Sequence, residues 1–483
     1  MKLSELIQAL GGNCQTSGDM NVEIHSLCTD SRKAERGSLF FCIQGLTRDA
    51  HEFAPQVVEK GASALIVQRF LELDCPQVLV KDVREALSLI AQCFYGYPAR
   101  SMRLLGVTGT KGKTTTSFLV KSILEAAGMK TGLIGTVCCM IGSTEVPSDK
   151  TTPDPVEFQS MLRQMADAGC DAVVMEVSAH AMAMHRLSGV YFEVCAFTNL
   201  SQDHFDFFHN MENYCAAKML LFTPGMCGRG FYNADDELVS AAMRSAPVPV
   251  TGYGIREAAD IYAKNIEVGE RGNLFQINFH KRFRIDVQLK LSGIFNVYNS
   301  LTAAALCDAV GASPEAIKKG LENIKNVPGR VELLDTGTPY RVILDYAHSP
   351  DSLANILTTV RQTTKKRVIL VFGCGGNRDR EKRPIMGEIG GELADYCVLT
   401  SDNPRAEEPG DILRAIEEGI RPTGADYVVI ENRREAIRHA LSVAGAGDVV
   451  VLAGKGHETY QEIRGIKYPF DEKVVVKELL EEM

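Results

Sequence analysis

A chain of 483 residues is too long for one ordinary hydrophobic core, so two to four domains are expected. An apolar fraction of 45% with 23% charged residues is that of a soluble globular protein, and no apolar run approaches the roughly 18 residues of a membrane span. A net charge of −9 argues against broad nucleic-acid binding, which needs a basic face, yet leaves room for anionic small ligands held by local amides and lysines. The 14 cysteines sit singly or in irregular pairs, without a Cys-x-x-Cys, so neither a zinc ribbon nor a thioredoxin-like site is suggested. No signal peptide is legible in MKLSELIQAL, which points to reduced thiols in a cytosol.

Along the chain, residues 1 to about 98 alternate short elements. "SLFFCIQG" and "ASALIVQ" read as strands, "FAPQVVEKG" and "VREALSLIAQCFYG" as helices, and "YPARSM" as a linker. The apolar run Arg103–Val107 is a buried strand, followed by a glycine-rich loop and a helix that Gly128 stops. "DAVVMEVS" and "VCAFTNLS" are further buried strands, and "GIFNVYNSLTAAALCDAVG" is a long helix rich in small residues. After "NVPGR" the pattern resets. "RVILDYA", "RVILVFGCGG", "YCVLTSDNP" and "DVVVLAGKG" are strands alternating with helices such as "DSLANILTTVRQ", which predicts a parallel, doubly wound sheet. Such sheets bind ligands beyond the carboxyl ends of their strands, where the polar loops DYAHSPDS, GCGGNRDREKRP, SDNPR and AGKGHE lie.

"GVTGTKGKTTT" (106–116) carries the strongest chemistry. Gly106, Gly109 and Gly112 let backbone N–H groups wrap a phosphate, Lys113 adds charge, and the helix start adds its dipole. This predicts ATP binding, with Thr114 as a Mg²⁺ ligand, although the strict P-loop register would place its first glycine at Val107. Glu176 ends an apolar strand and suits a hydrated Mg²⁺; a solvent-facing glutamate is the alternative. Ser178, His180, His185, Arg186 and His204 follow on neighbouring loops, with His204 a second metal candidate. Lys218 on "NYCAAKMLLF" reads from spacing alone as a snorkelling lysine. In "TSDNPRAEEP" (400–409), Arg405 stands on a rigid Asn-Pro turn. It is either a surface residue paired with Glu407 or Glu408, or a clamp for a substrate carboxylate. Together these parts suggest ATP used to activate a carboxylate toward an amine.

The P-loop, MEVSAHAMAMHRL, FTNLSQDHFDFF, NYCAAK, GIFNVYNSLTAA, NVPGRVE, DYAHSPDSL and AGKGHE resemble, in order and over nearly the full length, the Mur ligase family. TDSRKAERGSLFFCIQG resembles the uridine-binding domain of the ligases that add the third residue and the terminal dipeptide, TTPDP (151–155) resembles the third-residue branch specifically, and Asp-Asn-Pro-Arg goes with meso-diaminopimelate rather than lysine. The resemblance implies an α/β fold of three domains: an N-terminal α/β UDP-binding domain (1–98), a central P-loop ATPase domain with a mostly parallel sheet (99–329), and a C-terminal Rossmann-like amino-acid-binding domain (330–483). Hinges are expected near 98–103 and 328–332.

Residue by residue, the family implies that Gly109, Thr110, Lys111, Gly112, Lys113, Thr114 and Thr115 hold the ATP phosphates. Asn296, Asn299, Arg330 and Asp345 complete the nucleotide site. Lys113, Glu176, His204 and Lys218 are the catalytic set, with Thr114, Glu176, His204 and a carbamylated Lys218 around Mg²⁺. Ser31, Thr151, Thr152, Ser178 and Arg186 take the UDP-muramoyl dipeptide. Arg378, Asp402, Asn403, Pro404, Arg405, Gly454 and Glu458 gather around diaminopimelate, with Arg380 competing for the role of Arg378. Lys111 stands where asparagine is common, and Ala179 where a second serine is frequent. The implied enzyme is a cytoplasmic bacterial monomer, without nucleic acid or membrane insertion. Its alternatives are a lysine-adding ligase, another Mur-type amide ligase, and a catalytically dead scaffold.

Overall fold

The computed structural model describes residues 1–45, 48–146, 150–256, 259–280 and 282–483. By internal contacts the chain divides into two compact units, Met1–Ile261 with Thr302–Ile317, and Tyr262–Leu301 with Lys318–Met483.

The first unit opens with a five-stranded sheet ordered Cys14–Ser17, Gln77–Val80, Ala64–Val67, Ser38–Phe41, Ser26–Cys28. Cys14–Ser17 is antiparallel to its neighbour and the other pairs are parallel. Both predicted strands are here, buried at every residue as a parallel sheet covered on two faces requires. The predicted helices are Ala54–Glu59 and Val83–Phe94, the latter capped by Asp82, which accepts from the N–H groups of Arg84 and Glu85. "YPARSM" contains a single 3₁₀ turn, Pro98–Ser101.

The unit's larger sheet runs Val250–Gly254, Cys227–Asn233, Phe192–Phe197, Arg103–Thr108, Ala172–Glu176, Thr131–Ile134, then Cys139–Ile141 and Thr144–Val146. The first six strands are parallel and the last two add an antiparallel edge. Arg103–Thr108 has Phe192–Phe197 on one side and Ala172–Glu176 on the other, so the loops after these three strands emerge side by side.

The second unit holds the antiparallel pair Gly272–Phe279 and Phe283–Leu289. Its main sheet is six-stranded, ordered Glu332–Leu334, Arg341–Asp345, Val449–Ala453, Val368–Phe372, Tyr396–Leu399, Tyr427–Val429, and parallel except for the first strand. Apolar cores lie on both faces, as a doubly wound sheet demands. A two-stranded hairpin, Tyr460–Ile463 with Ile466–Pro469, stands apart from that sheet and was not anticipated from the sequence. Its strands alternate polar and apolar residues too weakly to signal a buried face.

Arg433 and Glu472 are both fully buried and joined by a 2.8 Å hydrogen bond from Nε to Oε1, while Arg433 Nη2 donates to the Ala453 carbonyl. Breaking such a pair leaves one charge uncompensated in a low-dielectric interior. Arg433→Met is expected to lower the unfolding free energy by about 3–5 kcal/mol in urea titrations, and Arg433→Met/Glu472→Leu to recover most of that loss. Equal losses in the single and double variants would show that packing, not charge, sets the cost.

Candidate active site

The glycine-rich loop joins the strand Arg103–Thr108 to the helix Lys113–Ala126. Gly109 has φ +139°, and a Cβ there would collide with the Thr198 hydroxyl. Thr198 and Asn199, from the loop after Phe192–Phe197, bind the loop tightly. Thr198 Oγ1 donates to the Lys111 carbonyl at 2.6 Å, Asn199 Nδ2 donates to the same oxygen at 2.9 Å, and Lys111 N donates to Asn199 Oδ1 at 2.8 Å. Lys113 Nζ donates to the carbonyls of Gly109 (2.9 Å) and Thr110 (2.8 Å). Thr110, Thr114 and Thr115 are buried beside it.

Lys218 reaches the same loop. It is buried, it donates to the Gly109 carbonyl at 2.8 Å, and its ammonium lies 4.4 Å from the Tyr214 ring centre. Burial, with the Lys113 charge adding to it, holds its pKa well below the ordinary lysine value. A snorkelling lysine would reach water; this one does not. His204 has a left-handed backbone (φ +57°), and its ring lies 4.7 Å from that of His180. Burial lowers the pKa of both imidazoles, that of His180 to about 4, with His204 adding to the shift; Lys113 and Lys218 press on His204.

Glu176 is buried, with Oε1 accepting from Thr136 N and Oε2 from Thr136 Oγ1, each at 2.9 Å. It does not face solvent. Thr136 Oγ1 also meets Thr151 Oγ1 at 2.9 Å, Thr152 Oγ1 donates to the Glu176 carbonyl at 2.9 Å, and Ser178 N donates to Thr152 Oγ1 at 3.1 Å. Arg186 Nη1 donates to the Thr152 carbonyl at 2.8 Å, and its Nε lies 3.2 Å from Asp154. Glu176, Thr151, Thr152, Ser178 and Arg186 therefore form one continuous network. Arg186 and Asp154 line a cavity of about 760 Å³ together with Ser31, Arg32, Arg48 and Arg84. Among the described residues no three His, Cys, Asp or Glu side chains converge as a metal cluster.

In the second unit, Asn296 and Asn299 share one face of the helix Ile294–Ala309, Asn299 Nδ2 donating to Asn296 Oδ1 at 3.0 Å. Arg330 lies 4.9 Å from the Tyr346 ring centre, and Asp345 accepts from Val331 N at 2.8 Å. Burial raises the Asp345 pKa against the opposing pull of Arg330.

The turn of TSDNPR is buried from Thr400 to Asn403. Neither Glu407 nor Glu408 pairs with Arg405. Glu407 accepts from Arg383 at 3.0 and 3.1 Å and from Asn377 N at 2.5 Å, and it pairs with Arg380 at 3.3 Å. The Arg383 bonds, and then Asn377, hold its pKa below the usual carboxylate range. Glu408 pairs with Arg464. Arg405 instead donates from Nε to Glu462 Oε2 at 3.2 Å and from Nη1 to the Gly376 carbonyl at 2.8 Å. Arg378 is exposed and, among the described residues, has no hydrogen-bond or ion-pair partner; a Cβ on Gly375 would lie 2.9 Å from Arg405 Nη1 and 3.8 Å from Arg378 Cγ. Asn403 Nδ2 donates to Glu458 Oε2 at 2.8 Å, and the buried Lys455 ammonium bonds both Asn403 Oδ1 (3.2 Å) and Glu458 Oε2 (3.0 Å). Gly454 has φ +112°, and a Cβ there would lie 2.5 Å from Asp402 Oδ2.

Sequence reasoning missed Thr136, Lys455 and Glu462. Lys455 stands inside AGKGHE, where the glycines and Glu458 carry the signal, whereas Thr136 and Glu462 carry no local signal, being set against their partners only by the fold. Thr198 and Asn199 lie within FTNLSQDHFDFF, whose spacing does not reveal that they hold the glycine-rich loop.

Three stretches match family descriptions: 23–95 the "Mur ligase family, catalytic domain", 107–307 the "Mur ligase middle domain", and 329–456 the "Mur ligase, glutamate ligase domain". UDP-N-acetylmuramoyl-L-alanyl-D-glutamate–2,6-diaminopimelate ligase 1 of Clostridium acetobutylicum is 44% identical over 470 residues, 96% of each chain. The ligase of that name from Geobacillus thermodenitrificans is 44% identical over 491 residues, the whole of both chains. A solved structure of a UDP-N-acetylmuramoyl-L-alanyl-D-glutamate–2,6-diaminopimelate ligase, 29% identical, superposes with a TM-score of 0.70 over 100% of this chain and 99% of that one. The MurF ligase of Thermotoga maritima in complex with ADP, 17% identical, has the same fold at a TM-score of 0.63 over 96% and 99%. With matches in three successive stretches and relatives alike from end to end, the chain belongs to the Mur ligase family.

Proposed function

We propose that the chain is the ATP-dependent ligase that joins meso-diaminopimelate to the D-glutamate γ-carboxylate of UDP-N-acetylmuramoyl-L-alanyl-D-glutamate, a step of peptidoglycan precursor synthesis in the cytoplasm. The observation that carries the choice of amino acid is Arg405. Both glutamates that follow it are engaged elsewhere, and its Nη2 has no partner among the described residues. Diaminopimelate differs from lysine by one carboxylate, and a guanidinium takes a carboxylate through two parallel bonds.

In this reading the γ-carboxylate attacks the γ-phosphorus of ATP, giving an acyl-phosphate and ADP. The amine of diaminopimelate then adds to the acyl carbon. The tetrahedral intermediate expels phosphate, and the amine loses its proton as the amide forms. The loop 109–115 orients the phosphates, and the cavity with Ser31 and Arg186 takes the UDP-sugar. Thr151, Thr152 and Ser178 lead from it toward Glu176. Asn296, Asn299, Arg330 and Asp345 hold the nucleoside, and Arg378, Asp402, Asn403, Pro404, Gly454 and Glu458 surround the amino acid with Arg405. The modules 1–98, 99–329 and 330–483 each bring one substrate. Catalysis of this kind is mostly positioning and charge neutralisation.

Magnesium fits the donor set. Glu176 is a buried carboxylate oriented by Thr136, Thr114 and His204 add donors, and Lys218 has a suppressed ammonium pKa that suits conversion to an anionic carbamate. When bound, the ion would neutralise charge on the transferring phosphoryl group.

Phosphate release in the presence of the UDP-dipeptide is expected to require meso-diaminopimelate rather than L-lysine, and to fall about a hundredfold or more in Arg405→Ala. Equal release with lysine would assign the lysine-adding reaction. Arg378→Ala is expected to raise KM for diaminopimelate more than Arg380→Ala, because Arg380 is held by Glu407; the reverse order would exchange their roles. With ¹³C-bicarbonate, a carbamate resonance is expected that Lys218→Arg abolishes. Because burial lowers the Lys218 pKa, its amine gives up its proton more readily than an ordinary lysine, and the signal is expected to fade as pH falls. A wild-type spectrum without the resonance across this range would remove the carbamate from the metal site.

A further inference from the structure

Glu462 lies on the hairpin strand Tyr460–Ile463, 57 positions from the arginine it holds. A lone two-stranded hairpin is marginal in water, and this one is largely exposed. Its anchorage is concentrated on the Asp402–Arg405 turn. Gln461 Nε2 donates to the Asp402 carbonyl at 2.7 Å, Glu462 N to Asn403 Oδ1 at 2.9 Å, Arg405 N to the Glu462 carbonyl at 3.0 Å, and Arg464 N to the Arg405 carbonyl at 2.6 Å. The turn they fix is unfavourable by itself, since Arg405 has φ +52°.

The side-chain bond has a directional result. A guanidinium offers N–H donors on Nε, Nη1 and Nη2 in one plane. Glu462 takes the Nε–H and the Gly376 carbonyl takes one N–H of Nη1. What remains is one N–H of Nη1 and both of Nη2, the two terminal nitrogens that a carboxylate can engage through two parallel bonds. The same bond restrains a long side chain that would otherwise lose rotamer freedom on binding substrate.

We infer that Glu462 is a specificity-determining positioning residue: through Arg405 Nε it fixes the guanidinium so that its Nη1/Nη2 edge meets the carboxylate by which diaminopimelate differs from lysine. This rests on the reading of Arg405 as the carboxylate clamp, and the test separates the two. Steady-state kcat and KM are measured with meso-diaminopimelate and L-lysine for the wild type, Glu462→Ala, Glu462→Gln and Arg405→Ala. Glu462→Ala raises KM for diaminopimelate about tenfold, with a smaller change in kcat, and erodes the preference over lysine. Glu462→Gln keeps an acceptor oxygen for the Nε–H and falls between the wild type and Glu462→Ala. A merely structural ion pair would lower turnover with both amino acids in proportion. That result, or a wild-type preference in Glu462→Ala alongside its collapse in Arg405→Ala, overturns the inference and leaves the clamp standing. A wild-type preference in Arg405→Ala overturns the clamp and the inference together.

Discussion

The backbone at Gly109 has no room for a side chain, and much of the first unit's chemistry follows from that. Because the loop passes so close to Thr198 and Asn199, those two side chains can fix it from outside, through the Lys111 carbonyl and amide. The fixed loop then presents the Gly109 carbonyl to two lysines at once, Lys113 from the helix that follows and Lys218 from the helix Met211–Met219. Burial, with the neighbouring Lys113 ammonium adding to it, lowers the pKa of Lys218. The shape of the glycine-rich loop and the setting of that lysine thus have one geometric origin.

The two units treat charge differently. Around the glycine-rich loop, Lys113 and Lys218 both donate to backbone carbonyls, which concentrates positive charge there. At the carboxyl ends of the second unit's sheet, nearly every charge is matched: Arg383 and Arg380 with Glu407, Lys455 with Glu458, Arg433 with Glu472. Against that background Arg405, whose Nη2 has no partner among the described residues, and the exposed Arg378 stand out. An amino acid without a second carboxylate would desolvate such a guanidinium and return nothing, which is the basis of the selectivity proposed above.

The strands and helices were legible because their periodicities are strong. Arg103–Thr108, Ala172–Glu176 and the four long parallel strands of the second unit are apolar runs that admit no other reading, and glycine and proline mark their ends. The strand–loop–helix of Arg103–Ala126 was legible from its glycines together with the apolar strand before them and the helix after, whereas the roles of most other site residues are implied only by resemblance. Lys218 was not legible from spacing, because a lysine on an apolar helix looks the same whether its end reaches water or a buried carbonyl. The partner of Arg405 was not legible either. Two glutamates stood beside it in sequence, and the one that binds it comes from a hairpin 57 positions away, a distance no local pattern spans. Thr136, which orients Glu176 from 40 positions away, escaped for the same reason.

The order of strands in the second unit bears on how the chain is made. Val449–Ala453 lies between Arg341–Asp345 and Val368–Phe372, both of which leave the ribosome long before it. Until residue 453 has been synthesised, those two strands, apolar on both faces, present open edges to each other and to anything nearby. The buried Arg433 then waits further for Glu472. Contacts this distant in sequence form slowly, so this sheet closes only after its central strand, Val449–Ala453, has been made. Over that interval the exposed strand edges are open to pairing with other chains, a liability set by strand order alone.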